Sequence, residues 1–226
     1  MKLLNNPKYA VERAAIEDLV KFEGAEVVID EPYAAAVKMG TWYKCVFSEQ
    51  SDYNCYRKKY GISGDACLLG APQGLYDDPC ITFAYLNAMP PSTEKSNRAE
   101  IKRLAPSLAQ TVLSAYHNGE SGYTLERMEY LMREKGVFGA IADGKLAGFI
   151  GRHGDGNMGM LEVFPEFRRR GLAAQLETFL ITYIMTFGRV PVCDVYTDNP
   201  ASLALQAKLG LTKGVGYTYW ISEDKE

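Results

Sequence analysis

Arg168-Arg169-Arg170-Gly171 set three guanidinium side chains directly before a glycine. They follow a short apolar run, Met160 to Phe164, which Pro165 ends, because proline cannot donate to a strand ladder and restricts the residue before it. Behind them Leu172, Leu176, Phe179, Leu180, Tyr183, Ile184 and Phe187 fall on one face of a helix. The stretch is a strand, a tight basic turn with a glycine, and a helix start. A helix start exposes unpaired N–H groups and the positive end of its dipole, and a glycine lets the backbone come close to a ligand. Together these make an anion cradle suited to a diphosphate. The bland alternative is a solvated basic turn, common in surface loops.

Other elements must position this turn. Residues 7–22 form a first helix, with Pro7 in its first turn, an apolar stripe of Val11, Ala15, Leu19 and Phe22, and Gly24 as the stop. Strands follow at Ala25–Ile29, Ala34–Met39 and Trp42–Phe47. Ser51–Tyr60 is a helix with Ser51 as N-cap, and Tyr53, Tyr56 and Tyr60 share a face that packs rather than binds. Two more strands fit Cys67–Leu69 and Ile81–Leu86. Residues 89–99 hold two prolines and several turn formers and form a linker. The division expected is a small α+β domain over 1–88 and a second domain over 100–226.

In that second domain, Ile101–Leu104 is a strand, Pro106 opens a helix to Tyr116, and Thr124 caps another. Strands Val137–Ala142 and Lys145–Gly151 are joined by Asp143-Gly144, the strongest short hairpin signal. After the long helix come a strand at Val190–Tyr196, a helix capped by Asn199 with Pro200 at its first position, and a last strand at Val215–Ile221.

Bulk composition excludes several classes. A net charge of −3 argues against a nucleic-acid binder. Five cysteines, no Cys-x-x-Cys pair and only two histidines, His117 and His153, argue against a zinc site or a disulfide framework, so no metal is expected. The most apolar helix is interrupted by Gln175, Glu177 and three threonines, too polar and short to span a bilayer. The start has no apolar core long enough for a signal peptide, and a cytoplasmic protein without membrane partners is the expectation.

Two motifs carry a resemblance. Arg168-x-x-Gly171-x-Ala173 after a strand-ending proline resembles the acyl-CoA pyrophosphate loop of the GNAT N-acyltransferase superfamily. Asp198-Asn-Pro-Ala-Ser-Leu-Ala-Leu-Gln-Ala-Lys-Leu-Gly-Leu211 resembles that superfamily's next helix, and the aromatic strand ending in Trp220 resembles its glycine-acyltransferase-like branch. The order of elements from residue 100 onward is that of the GNAT fold. The fold class implied is α/β (α+β): a C-terminal, mixed, mostly antiparallel sheet flanked by helices, beside the smaller N-terminal α+β domain.

The resemblance implies an acetyl-CoA-dependent N-acetyltransferase acting directly on a primary amine of a small molecule or amino acid. A peptide or protein amine is the rival acceptor. Leu161 to Val163 would flank the pantetheine arm, with the Val163 N–H on the thioester carbonyl. Arg168, Arg169, Arg170, Gly171, Leu172, Ala173 and Ala174 would form the pyrophosphate cradle. Asn199, already explained as an N-cap, would also contact pantetheine, with Ser202 nearby. Many relatives carry a tyrosine acid where this chain has Gln206, so Tyr196, Tyr217 or Tyr219 would substitute, or the thiolate would leave unassisted. Glu162 is the first candidate base, and His153, whose ordinary pKa is near neutral, the second. The N-terminal domain would close the acceptor side of the cleft or assist a homodimer. With no acid at Gln206, an acyl-CoA-binding sensor is the alternative to an enzyme.

Overall fold

The computed structural model describes residues 1–48, 50–92, 99–116 and 123–222. In chain order, a 3₁₀ turn at Pro7–Tyr9, begun by the Asn6 side chain accepting from the Lys8 N–H, leads into helix α1 (Ala10–Asp18). The last turn widens to a π-helix over Leu19–Glu23 and stops at Gly24, whose φ of 72° suits glycine. Strands β1 (Glu26–Asp30), β2 (Ala34–Met39) and β3 (Trp42–Phe47) follow, then α2 (Gln50–Tyr60), β4 (Ala66–Ala71) and β5 (Cys80–Ala84). Helix α2 begins one residue before the expected cap, so Ser51 lies inside it.

Next come β6 (Glu100–Arg103), α3 (Ala109–Ala115), α4 (Leu125–Glu134), β7 (Val137–Ala142), β8 (Lys145–Arg152) and β9 (Met158–Val163). The chain continues through α5 (Leu172–Met185), β10 (Val192–Tyr196), α6 (Pro200–Leu209), β11 (Thr212–Lys213) and β12 (Tyr217–Ile221). The β7–β8 turn has Asp143 and Gly144 both at positive φ, 53° and 72°, the conformation its sequence demands.

Packing divides the chain into two units, Met1–Leu86 with Val192–Glu226, and Asn87–Pro191. The elements β10, α6, β11 and β12, grouped with residues 100–226 by their order in the sequence, pack with the N-terminal strands. The reason is strand pairing: β12 pairs antiparallel with β4 and also meets β5, and β5 pairs with β10. Nothing local in residues 212–221 announces a partner well over a hundred residues away. Within the expected linker, residues 93–98 lie outside the described residues, as does His117.

The first unit's strands run β1-β2-β3-β4-β12-β5-β10, with β11 added to β5, and only β3–β4 is parallel among the described pairs. On one face Tyr53 of α2 packs with Tyr43, Cys45, Phe47, Leu68 and Tyr219. The second unit is an antiparallel meander, β9-β8-β7-β6. Val112 of α3 and Met128, Leu131 and Met132 of α4 cover one face, against Val137, Phe149 and Met160. On the other face α5 lies against Ala147 and Val163 through Leu172, and its Phe179 and Tyr183 pack edge-on against Phe138.

Candidate acyl-CoA site

The turn singled out from sequence is built by the second unit. Strand β9 is not regular. Its register against β8 passes from Phe149↔Glu162 to Gly151↔Gly159, which leaves one extra residue on β9, and Met160 takes φ 51°. This is a β-bulge with a non-glycine residue in left-handed geometry, a device that bends a strand and re-aims its backbone groups. The close approach of β9 to β8 beyond the bulge requires Gly148, because a Cβ there would collide with the Glu162 carbonyl oxygen and lie 3.0 Å from the Val163 Cα.

Beyond Val163, the chain makes a 3₁₀ turn at Pro165–Phe167 and then two left-handed residues, Arg169 (φ 64°) and Gly171 (φ 80°). Gly171 is the N-cap of α5, and no side chain caps this helix. The first-turn N–H groups of a 14-residue helix are therefore left to solvent or a ligand. Added atoms at Gly171 would meet nothing within 4 Å, so its backbone faces open space. Leu172 anchors the helix start in the core, while the small Ala173 and Ala174 leave its surface low.

The three arginines differ in what they do. Arg168 staples the turn: its Nε donates to the Val163 carbonyl at 2.9 Å and its Nη2 pairs with Glu162 Oε1 at 3.2 Å. Arg170 donates to the Glu166 carbonyl at 3.0 Å, reaches Asp143 at 3.5 Å and lies over the Phe167 ring. Arg169 is exposed and has no ion pair among the described residues, so its charge is available beside the bare helix start. Glu162 lies on the α3/α4 face, opposite Phe149, and Val163 on the α5 face. Leu161 lies at the bulge between them and the strand's start.

Apart from His153, the remaining expected residues belong to the first unit. Asn199 caps α6: its Oδ1 accepts the Ser202 N–H at 3.0 Å, and Pro200 follows as expected. Gln206 is 2% exposed and its Oε1 accepts from Cys193 Sγ at 3.5 Å. Tyr219, named as a substitute acid, is fully buried; its hydroxyl donates to the Pro72 carbonyl and accepts from the Gly74 N–H, both at 3.0 Å. That geometry gives it a packing role. Trp220, its neighbour on the opposite face, is half-exposed beside Trp42. Among the described residues no group of His, Cys, Asp and Glu is arranged to hold a metal, and no helix is long and apolar enough to cross a membrane.

Sequence reasoning named His153 as the second candidate base without naming the residue it meets. The Tyr123 hydroxyl lies 2.5 Å from His153 Nδ1, with the two rings stacked at 6.0 Å. Burial, with Tyr116 and Asp155 beside it, pushes the Tyr123 phenol up and keeps it protonated. The pairing spans 30 residues and left no local signal beyond the glycines around the histidine.

Comparison with known proteins agrees with this architecture. Residues 135–221 match the family model described as FR47-like protein. No curated protein gives a significant sequence match. A crystal structure of a Drosophila protein aligns with TM-score 0.59 at 18% identity, over 89% of this chain and 75% of that one. A GCN5-related N-acetyltransferase from Kribbella flavida aligns with TM-score 0.58 at 12% identity, over 97% and 96%. A GNAT-family structure from Novosphingobium aromaticivorans gives 0.55 at 15% identity, over 92% and 96%. The chain has the mixed α+β fold of the GNAT acetyltransferases, a mostly antiparallel sheet flanked by helices.

Proposed function

We propose that the protein is an acyl-CoA-dependent N-acetyltransferase that passes an acetyl group from acetyl-CoA to a primary amine. The observation that carries this reading is the uncapped start of α5 behind Arg169 and Gly171, on a fold shared with acetyltransferases. The diphosphate of the cosubstrate would accept from the N–H groups of Leu172, Ala173 and Ala174, with Arg169 supplying charge and Arg168 and Arg170 holding the turn. The bulged strand β9 supplies the other half: Leu161 to Val163 offer backbone groups to the pantetheine arm, and an N–H there polarises the thioester carbonyl. Transfer is direct. Burial pushes the Cys45 thiol up to about 12 and raises that of Cys80 further, with Asp194, Asp198 and Asp78 adding to it, so neither is a ready nucleophile.

The acceptor is read as a small amine or amino acid, on the resemblance of the aromatic last strand to the glycine-acyltransferase-like branch. A peptide or protein amine is the competing acceptor. One observation favours a second reading: Gln206, where many relatives have an acid, is buried and bonded to Cys193, which fits an acyl-CoA-binding sensor. Thiol release from acetyl-CoA, measured with a panel of amino acids, polyamines, aminoglycosides and peptides, separates the two. Release that depends on an amine supports the enzyme; binding of acetyl-CoA without release from any amine supports the sensor.

A further inference from the structure

We infer that Gln175 is a positioning residue for the cosubstrate turn, setting the start of α5 by clamping the backbone of Ala99; this rests on the acyl-CoA reading above. Gln175 is the fourth residue of α5. Its N–H is taken up by the Gly171 carbonyl at 3.1 Å, and the N–H groups of the three residues before it are those assigned to the diphosphate. Helical side chains tilt toward the N-terminus, and positions four apart share a face, so the carboxamide lies alongside the first turn, on the side of Gly171.

Both ends of that carboxamide are used. Its Oε1 accepts the Ala99 N–H at 3.2 Å, and its Nε2 donates to the Ala99 carbonyl at 2.7 Å. Residues of neighbouring strands exchange the same pair of bonds, so Gln175 meets Ala99 as a strand would, one residue before β6 begins. Ala99 also packs with Phe167 and Leu172, the residues on either side of the Arg168–Gly171 turn. The turn is therefore bracketed. Arg168 ties its strand end to the Val163 carbonyl, and Gln175 ties its helix end to Ala99.

Apolar packing alone would leave the helix start less defined. Leu172 against Ala147, and Phe179 and Tyr183 against Phe138, choose the buried face, but hydrophobic contact is non-directional. Hydrogen bonds weaken steeply with misalignment, so a clamp of two fixes how far α5 is turned about its axis and slid along it. N–H groups aimed at an anion need that setting, because a misplacement of about 1 Å is enough to weaken preorganised contacts. The alternative role of Gln175 is only to satisfy the polar groups of the half-buried Ala99; that role predicts a loss of stability and no loss of affinity.

The test uses the full chain and acetyl-CoA. Gln175→Met keeps the length and helix propensity of the side chain while removing both bonds, and Gln175→Ala removes the side chain beyond Cβ. Calorimetric titration, at a temperature where circular dichroism shows each variant folded, should give a dissociation constant about tenfold weaker than that of wild type. In amine-dependent thiol release, KM for acetyl-CoA should rise by a similar factor while kcat at saturation stays as in wild type. Amide exchange of the wild type needs no variant. By linkage, a clamp that strengthens the turn is itself strengthened when the turn is occupied, so acetyl-CoA should slow exchange of the Ala99 N–H. Wild-type affinity in the folded variants, a fall in kcat with KM unchanged, or Ala99 exchange indifferent to acetyl-CoA overturns the assignment and leaves the acyl-CoA reading standing. A wild type that binds no acetyl-CoA overturns that reading, and the assignment falls with it.

Discussion

Two of the helices that start behind a strand, α6 after β10 and α5 after β9, are built in opposite ways. Between β10 and α6, Asn199 caps the first turn, Pro200 removes an N–H that would have no partner, and Gly210 closes the far end at φ 78°. Between β9 and α5 the cap is a left-handed glycine with no side chain, preceded by a left-handed arginine. The first arrangement satisfies its polar groups within the protein; the second leaves them facing outward. The same contrast runs through the first unit, where Gln206 bonds the Cys193 side chain, Tyr219 bonds the backbone, and Thr82 bonds both Asp194 and Thr218. A polar group already bonded is explained by folding. An unpaired set of donors at an exposed turn calls for a ligand.

Breaking the open turn should have the largest effect. Gly171→Glu places a carboxylate where the diphosphate should lie, and calorimetric titration should show no acetyl-CoA binding. At a ligand concentration about 100 times the dissociation constant, that loss is roughly 2.7 kcal/mol of stabilisation. Because a side chain at φ 80° is strained, Arg169→Glu, which reverses the charge where a side chain already sits at φ 64°, should give the same result with wild-type stability. Breaking a closed site should instead cost stability. Tyr219→Phe leaves the Pro72 carbonyl and Gly74 N–H without their partner, and denaturant titration should show a loss of about 1–3 kcal/mol. Asn199→Ala should cost about 1 kcal/mol by the same measurement.

The smallest effect is expected from pH. Glu12 is 1% exposed; its Oε1 accepts the Val215 N–H at 2.7 Å, and Oε2 has no hydrogen-bond partner. Burial raises its pKa above the ordinary 4.5, against smaller opposing effects of backbone hydrogen bonds and Lys8. The folded state therefore binds this proton more tightly than the unfolded chain, and stability rises as pH falls through the raised value toward 4.5. Thermal unfolding across that window should show the rise in wild type and a flatter line in Glu12→Gln. Below the window Glu31, partly exposed, acts in the opposite direction. Bonds from Tyr60, Lys59 and Tyr56 hold its carboxyl down at about 2, so its contribution is lost as pH falls toward that value.

What was legible in the sequence was local. Asp143-Gly144, Asn199-Pro200 and Gly171 each name a backbone conformation that only a few residue types accept, and each is found there. The β2 and β3 boundaries followed from two strand-like runs and the Gly40-Thr41 turn between them. What was not legible depends on distance along the chain. The Glu12–Val215 bond spans 203 residues, Tyr219 meets Pro72 across 147, and β12 chooses β4 and β5 as partners by shape and register. The left-handed Met160 gave no signal either, since methionine carries no preference for that geometry and the surrounding strands impose it.

If the open α5 turn holds a diphosphate, thermal unfolding with two thioesters will reveal it. Acetyl-CoA and S-acetylpantetheine present the same thioester, and only the first carries a diphosphate. Acetyl-CoA should raise the midpoint of the wild type by several degrees, as expected for a chain of this size. S-acetylpantetheine at the same concentration should not, and neither ligand should stabilise Arg169→Glu. An equal shift from both thioesters, or an acetyl-CoA shift that survives in Arg169→Glu, would contradict the account.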